Sequence, residues 1–286
     1  MSIRHLVLAR LDSKTMDRSA TSRENLRARR SWTAAVVLAL ATILFGAQCG
    51  SAQDNRAKKL LEEMANYLTS QNAISVTFDS DIEVVTSELE KIQFTSTGEL
   101  RLIRPDKLRA HRRSGHADVD FAFDGTTFTV YDRKSNAFAR LSAPGSFDQL
   151  VDRLRTDFSI EAPGADLFLS NVYDALTEDV LEAKYVGRGI VDGIECEHLA
   201  FRNLETDWQL WIESGPYPVP RKYVITSKAM TGAPQYTLRI RDWRSDVPAD
   251  NASFAFNPPV DAKEVDSRVL LAIDEIPVGV VGAGGK

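Results

Sequence analysis

The side chains best able to do chemistry are His111, His116, His198, Cys196 and the carboxylate pair Asp118 and Asp120. A hydrolytic metal site needs clustered imidazole, thiolate or carboxylate ligands. His111 and His116 instead flank Arg112 and Arg113, whose charge opposes a bound cation, so no metal site is expected. Asp118 and Asp120 have the spacing of an acid–base pair, but strand alternation turns both away from Phe121 and Phe123 and toward water. Cys196 reads as a packed strand residue. No Gly-x-Ser-x-Gly elbow, Walker loop or Gly-x-Gly-x-x-Gly cradle occurs, and Gly187-Arg-Gly189 reads as a bend ending a strand. No catalytic residue, cofactor or enzymatic activity is assigned.

Burial of an apolar ligand is a different chemistry, which leaves no polar motif. Phe121 and Phe123 share one strand face, as do Trp208, Leu210 and Ile212, and as do Tyr236, Leu238 and Ile240. Most such residues make a core; the surplus over what helices cover would line a cavity, and these eight are its expected lining. About eight buried methylenes of an acyl chain would supply roughly 6 kcal/mol before ordering costs. Arg101, Arg104, Lys107, Arg109, Arg112 and Arg113 form the one basic concentration downstream of the N-terminal segment. A solvated outer strand face explains such a run. The functional reading is a rim on which Arg109, Arg112 and Arg113 meet a lipid headgroup or an acidic partner.

These residues must be positioned by a chain whose period changes repeatedly. Ala57, Leu60, Leu61, Met64, Ala65 and Leu68 recur at three and four, which predicts an amphipathic helix from Asp54 to Ser70. Runs of period two follow, among them Ile74-Val76-Phe78, Ile92-Phe94, Leu100-Leu102, Val119-Phe121-Phe123 and Phe128-Val130, as in half-buried antiparallel strands. Gly98, Arg104-Pro105-Asp106, Ser114-Gly115, Asp124-Gly125 and Ser135-Asn136 read as turns between them. The helical period returns with Phe147, Leu150, Val151 and Leu154 behind Ser146, and again from about Gly164 or Ala165 to Leu176. Strands resume at 181–186, 194–201, 207–213, 221–227 and 235–243, with a last short run, Phe254-Ala255-Phe256. About ten strands and three helices without a linker predict one domain over 53–266. A Gly-rich tail, 267–286, is expected to be flexible.

Arg27, Arg29 and Arg30, an uncharged run from Trp32 to Gly46, and then Gly50-Ser51-Ala52 have the order of a signal peptide over 1–52, beginning at Met1 or Met16. The run is shorter than the roughly 20 residues a membrane span needs, so no stable span is expected after cleavage. Gly46 and Gln48 are poor neighbours for a lipid-modified Cys49, which disfavours a lipid-anchored form. Cleavage would leave Cys196 without a disulfide partner. Of 35 Lys/Arg and 40 Asp/Glu, the first 52 residues hold 8 and 3, leaving 27 basic against 37 acidic. A net charge near −10 repels polyphosphate, so nucleic acid is excluded as a partner.

Strands with one apolar face must bury it, and long antiparallel sheets curl, which puts the helices across the mouth of a curved sheet. Gly98-Glu-Leu-Arg-Leu-Ile-Arg-Pro105, then Asp124-Gly125 with Tyr131-Asp132, resembles the strand-and-turn pattern of periplasmic lipoprotein carriers of the LolA/LolB type. Val191-Asp-Gly193, Cys196-Glu-His198-Leu-Ala-Phe201, Trp208-Gln-Leu-Trp-Ile-Glu213 and Pro220-Arg-Lys-Tyr223 look nearer to a domain-of-unknown-function family of predicted periplasmic proteins. The resemblance spans about Ala57 to Val265. It implies a mainly β (α+β) fold, a half-open antiparallel β-barrel of about ten strands with amphipathic helices as a lid over the concave face. It also implies a periplasmic carrier whose partner is a lipid, an acyl chain or an acylated protein held in an apolar cavity. The alternative is an envelope protein–protein interaction module without a small ligand.

Overall fold

The computed structural model describes residues 54–160, 162–245 and 254–267, all within one compact unit, Gly50–Lys286. The expected export segment 1–52, with Met16 and Cys49, and the tail beyond residue 267 lie outside the described residues. A helix, α1 (residues 54–70), precedes six strands: β1 (Ala73–Val85), β2 (Lys91–Ile103), β3 (Lys107–Ser114), β4 (Asp118–Phe123), β5 (Thr127–Asp132) and β6 (Ala137–Ser142). α2 (Phe147–Phe158), a 3-10 turn (Ala165–Phe168) and α3 (Val172–Thr177) follow. The chain then returns to strand as β7 (Glu182–Val191), β8 (Ile194–Arg202), β9 (Thr206–Glu213), β10 (Pro220–Ser227), β11 (Gln235–Arg244) and β12 (Lys263–Glu264).

These twelve strands form one open sheet in the order β12-β6-β5-β4-β3-β2-β1-β11-β10-β9-β8-β7. Every ladder is antiparallel except the short β12–β6 pair. Expectation and structure agree on a half-open antiparallel sheet with a helical lid; two of the twelve strands, counted among the described residues, exceed the expected ten. Bulges between Val76 and Phe78 on β1 and between Tyr185 and Gly187 on β7 add local twist.

α1 forms where the three-and-four spacing placed it, and buries Ala57, Leu61, Met64 and Leu68 in one continuous core with Leu199, Leu210, Ile212 and Tyr223. Its first turn is tied to β7, where Asp54 Oδ1 accepts from the Ala183 amide and Arg56 lies 3.7 Å over the Tyr185 ring. Its last turn meets the β9–β10 loop through Tyr67 and Tyr217, and Arg104 Nε donates to the carbonyl of Gln71, just after the helix. α1 therefore crosses the β7–β10 half of the concave face. α2 starts in a capping box, Ser146 receiving the Gln149 amide and Gln149 accepting from the Ser146 amide, a device worth about 1 kcal/mol.

Several elements depart from expectation. Gly98 is not a turn but the middle of β2, where the ring of Phe78 on β1 lies over it; a Cβ there would meet Phe78 Cζ at 2.5 Å. The Gly187-Arg-Gly189 step does not end its strand. It is a bulge, with Gly187 at φ +139, and β7 runs on to Val191. The helix expected over 165–176 breaks in two because the Ser170 amide is drawn to the Asp148 carboxylate at 3.1 Å. Phe254-Ala255-Phe256 makes no strand; the Phe256 ring packs on Tyr131 and Phe138 at 5.4 and 5.8 Å, covering the convex face of β5 and β6. Asp120, expected in water, is 5 % exposed and is gripped by Arg133 through bonds of 2.8 and 3.1 Å. An ion pair is what makes that burial tolerable.

The convex face also carries a stack of polar and aromatic groups. His198 on β8 lies 4.0 Å above Trp211 on β9 and bonds Gln209 at 3.0 Å, while Lys222 on β10 sits 4.8 Å from the Trp211 ring. Burial holds the His198 imidazole below its usual pKa; nearby Lys222 acts the same way, against the bond to Gln209. Burial likewise pushes the Cys196 thiol up to about 11, the state of an inert packed residue. Because the folded His198 resists protonation, its contribution to stability is complete above the unfolded value of about 6.5 and is lost as pH falls below it. Urea midpoints are expected to drop as pH falls below about 6.5 in the native protein and to drop less in His198→Gln. Equal slopes for the two proteins would remove His198 from the account.

Candidate ligand-binding cavity

Strand alternation puts Val76, Phe78, Ser80 and Ile82 of β1 on the concave face, and register sets them beside Leu100 of β2 and Leu238 and Ile240 of β11. Leu108, Ala110 and Arg112 extend this wall through β3, Val119 and Phe121 through β4, and Phe128 and Val130 through β5. The roof is α2, through Phe147, Leu150, Val151 and Leu154, and then Ile160, Ala162, Pro163, Gly164, Ala165 and Phe168. Between wall and roof lies a cavity of about 590 Å³, partly open to solvent and mostly apolar in its walls. Pockets of this size commonly hold small ligands.

Few polar groups face it. Ser80 and Ser96 satisfy each other at 2.8 Å, both almost fully buried, so the floor presents no orphaned hydroxyl. Arg112 is the cation of the wall, its guanidinium 5.9 Å from the Phe121 ring centre. Phe78 reaches into the space because Gly98 opposite has no side chain.

The roof is held at two points. Phe168 stacks on Trp243 of β11, ring centres 6.2 Å apart and planes 8° from parallel. Gly164, at φ +87, approaches Leu238 so closely that a Cβ there would lie 2.8 Å from Leu238 Cδ2. α2 ends at Ser159 in a left-handed conformation, and the Ile160 amide turns back to the Leu154 carbonyl. The roof segment thus meets the wall at Trp243 and Leu238.

Of the eight lining residues expected from sequence, the structure brings Phe121, Tyr236, Leu238 and Ile240 together around the cavity. Phe123, Trp208, Leu210 and Ile212 are solid core instead. Trp208 stacks on Phe201 at 3.9 Å and meets Tyr223 edge-on at 5.8 Å, within the core shared with α1. The three rim arginines divide by parity. Arg112 faces the cavity, whereas Arg109 lies on the opposite face under the Phe256 ring and Arg113 is exposed beside Asp118. The β1 residues and the roof segment were missed; the Phe78 and Gly98 pairing is the signal that could have found them.

An open curved sheet roofed by helices over an apolar pocket defines a half-barrel with a ligand-sized concavity. The chain belongs to the family described as "Predicted periplasmic protein (DUF2092)", whose model matches residues 57–267. No match was found among curated proteins. Among solved structures it is similar to an uncharacterized conserved protein from Thermus thermophilus, at 11% identity and TM-score 0.44 over 74% of this chain and 99% of that one. LprF from Mycobacterium bovis shares 12% identity at TM-score 0.41, covering 69% and 97%. A putative outer membrane lipoprotein-sorting protein domain from Vibrio parahaemolyticus shares 9% at TM-score 0.32, covering 70% and 97%. No helix among the described residues is long and apolar enough to cross a membrane.

If the roof is held by the Gly164–Leu238 contact, Gly164→Ala should lift it, since both the positive φ and the 2.8 Å approach oppose a methyl. The expected result is faster release of a bound fluorescent fatty acid in stopped-flow displacement, with the melting temperature lowered by only a few degrees. Unchanged release would show that the roof is held elsewhere.

Proposed function

We propose that the protein is a periplasmic carrier that holds an acyl chain, of a lipid or of an acylated protein, between β1–β5 and the α2 roof. The observation that carries this reading is the apolar cavity of about 590 Å³ that the folded side chains leave unfilled. Each buried methylene contributes about 0.8 kcal/mol, so a chain of ordinary length needs no exact polar partner. Arg112 fits an anionic end group, a carboxylate or phosphate, at the end of the cavity where β3 and β4 meet. No enzymatic step is required of any residue. A second reading, an envelope protein–protein interaction module without a small ligand, is favoured by one feature, the ten-residue edge strand β7 with Val186 and Ile190 exposed.

Organic extraction of purified protein, with mass spectrometry of the extract, tests the first reading directly. A fluorescent fatty acid is expected to bind native protein, and Ala110→Trp, which fills the pocket, is expected to weaken it at least tenfold. Arg112→Ala should weaken a fatty acid about tenfold while leaving the matching fatty alcohol nearly unchanged. Clean extracts together with probe binding indifferent to Ala110→Trp would favour the module without a ligand.

A further inference from the structure

Strand register sorts the cavity wall into rows, and the rows differ in polarity. Val76, Leu100, Ala110, Phe121 and Val130 lie in one row across β1 to β5, each opposite the next, and all are apolar. The row below, toward the β2–β3 and β4–β5 turns, brings Leu108 and Phe128 to the cavity, also apolar. The polar members of the lining, Arg112, Ser80 and Tyr236, all lie on the other side of that row, toward the β3–β4, β1–β2 and β10–β11 turns. The two ends differ in closure as well. At the apolar end the chain entering α2 is sewn to the sheet turns by backbone bonds, Ala143 to Thr126 at 2.7 Å, Gly145 to Gly125 at 3.0 Å and Phe147 to Pro105 at 2.8 Å. At the polar end, no backbone bond among the described residues joins the roof to a turn. The cavity is a blind apolar sac with a polar mouth.

Its volume sets how much it can hold. At roughly 30 Å³ for a methylene-sized group, a space of about 590 Å³ takes about twenty such groups, and two chains of ordinary length need about twice that. Resting on the carrier reading above, we infer that the site takes one acyl chain of about 16 to 18 carbons. Its anionic end group stays at Arg112 in the mouth, and its methyl end lies against Leu108, Phe128 and Phe147. The ligand class is a single-chain anionic amphiphile, a fatty acid or a lysophospholipid, and not a lipid held by two or three chains. Polarity fixes the direction: a reversed chain would strand its charge among Leu108, Phe121 and Phe128 and lay its methyl end on Arg112. Leu108 and Phe128 then set chain length, because methylenes beyond the capacity of the sac stay in water.

The test titrates delipidated native protein with saturated fatty acids of increasing length. One fatty acid per protein is expected, with affinity rising about fourfold per methylene to about 18 carbons and then levelling. Leu108→Phe, which shortens the sac, should bring the plateau down by about two to four carbons. A second measurement needs no variant: a photoreactive diazirine at the methyl end of a bound fatty acid is expected to label Leu108, Phe128 or Phe147, and one beside the carboxylate to label the β3–β4 mouth around Arg112. Protein re-isolated from vesicles of phosphatidylglycerol with lysophosphatidylglycerol should carry the single-chain lipid at least about tenfold above its share. Direct comparison of palmitate with lysophosphatidylglycerol names the source of the anion, the tighter ligand being the one the site takes. Two chains per protein, affinity still climbing beyond about 20 carbons, a plateau unmoved in Leu108→Phe, exchanged labelling patterns or enrichment of the diacyl lipid would overturn the inference and leave the carrier reading standing. Failure of every acyl probe to bind, or binding indifferent to Ala110→Trp, would overturn both.

Discussion

One constraint governs this molecule: a twelve-stranded sheet curled in one direction has more apolar concave surface than its helices can cover. On the β7–β10 half, α1 lays a full stripe of leucine and methionine against Leu199, Leu210 and Ile212, and the contact is solid. On the β1–β5 half, the roof is α2 and a short segment that touches the wall at Leu238 and Trp243. The cavity lies where the roof is thin. Its position follows from helix length and tethering more than from the chemistry of any one wall residue.

The tethering is asymmetric for physical reasons. α1 is fixed by charge: Glu197, buried on the concave face of β8, accepts from Tyr185 at 2.6 Å and from Arg188 at 3.2 Å, with Arg56 of α1 at 3.6 Å. Removing any partner would leave a buried carboxylate undercompensated, so this helix is costly to lift. Among the described residues, the α2 roof has no comparable anchor over the cavity, and its contacts there are apolar and aromatic. α2 is hydrogen-bonded at its flanks, the Phe147 amide to the Pro105 carbonyl and Arg153 to the Ser142 carbonyl, but a segment held over the cavity by apolar contact separates there at lower cost than one held by a buried ion network. The same sheet thus carries one half tied down by a buried ion network and one half more thinly roofed.

How much of this was legible in the sequence depends on which interaction fixed each feature. Period two and period 3.6 report which face of an element is apolar, and they located α1, α2 and most strands because burial of that face is what forms them. Periodicity cannot report what lies above a face. Trp208 and Leu238 have the same inward parity, yet one sits beneath α1 and the other beneath the roof segment. Nor can it report a partner far along the chain. Asp120 is buried because Arg133 reaches it across a hairpin, and the Phe254-Ala255-Phe256 run lies flat on the convex face because Tyr131 and Phe138 receive it. Gly98 and Gly187 look alike as punctuation, but one is a close approach and the other a bulge.

Arg112 shows how strand parity bears on function. Three arginines within five residues look like one basic patch, but β3 sends Arg109 and Arg113 to the convex face and Arg112 to the concave one. Arg109 is occupied by the Phe256 ring, and Arg113 faces solvent beside Asp118, a carboxylate held below its usual range first by its bond to His111 and then by neighbouring cations. Among the described residues, Arg112 alone brings a charge to the apolar wall, where low polarity strengthens its attraction for an anion and penalises a neutral polar group left without a partner. On the proposed carrier reading, an apolar chain ending in one negative group suits that wall. On that reading, the choice of cargo rests on the pleat of a single strand.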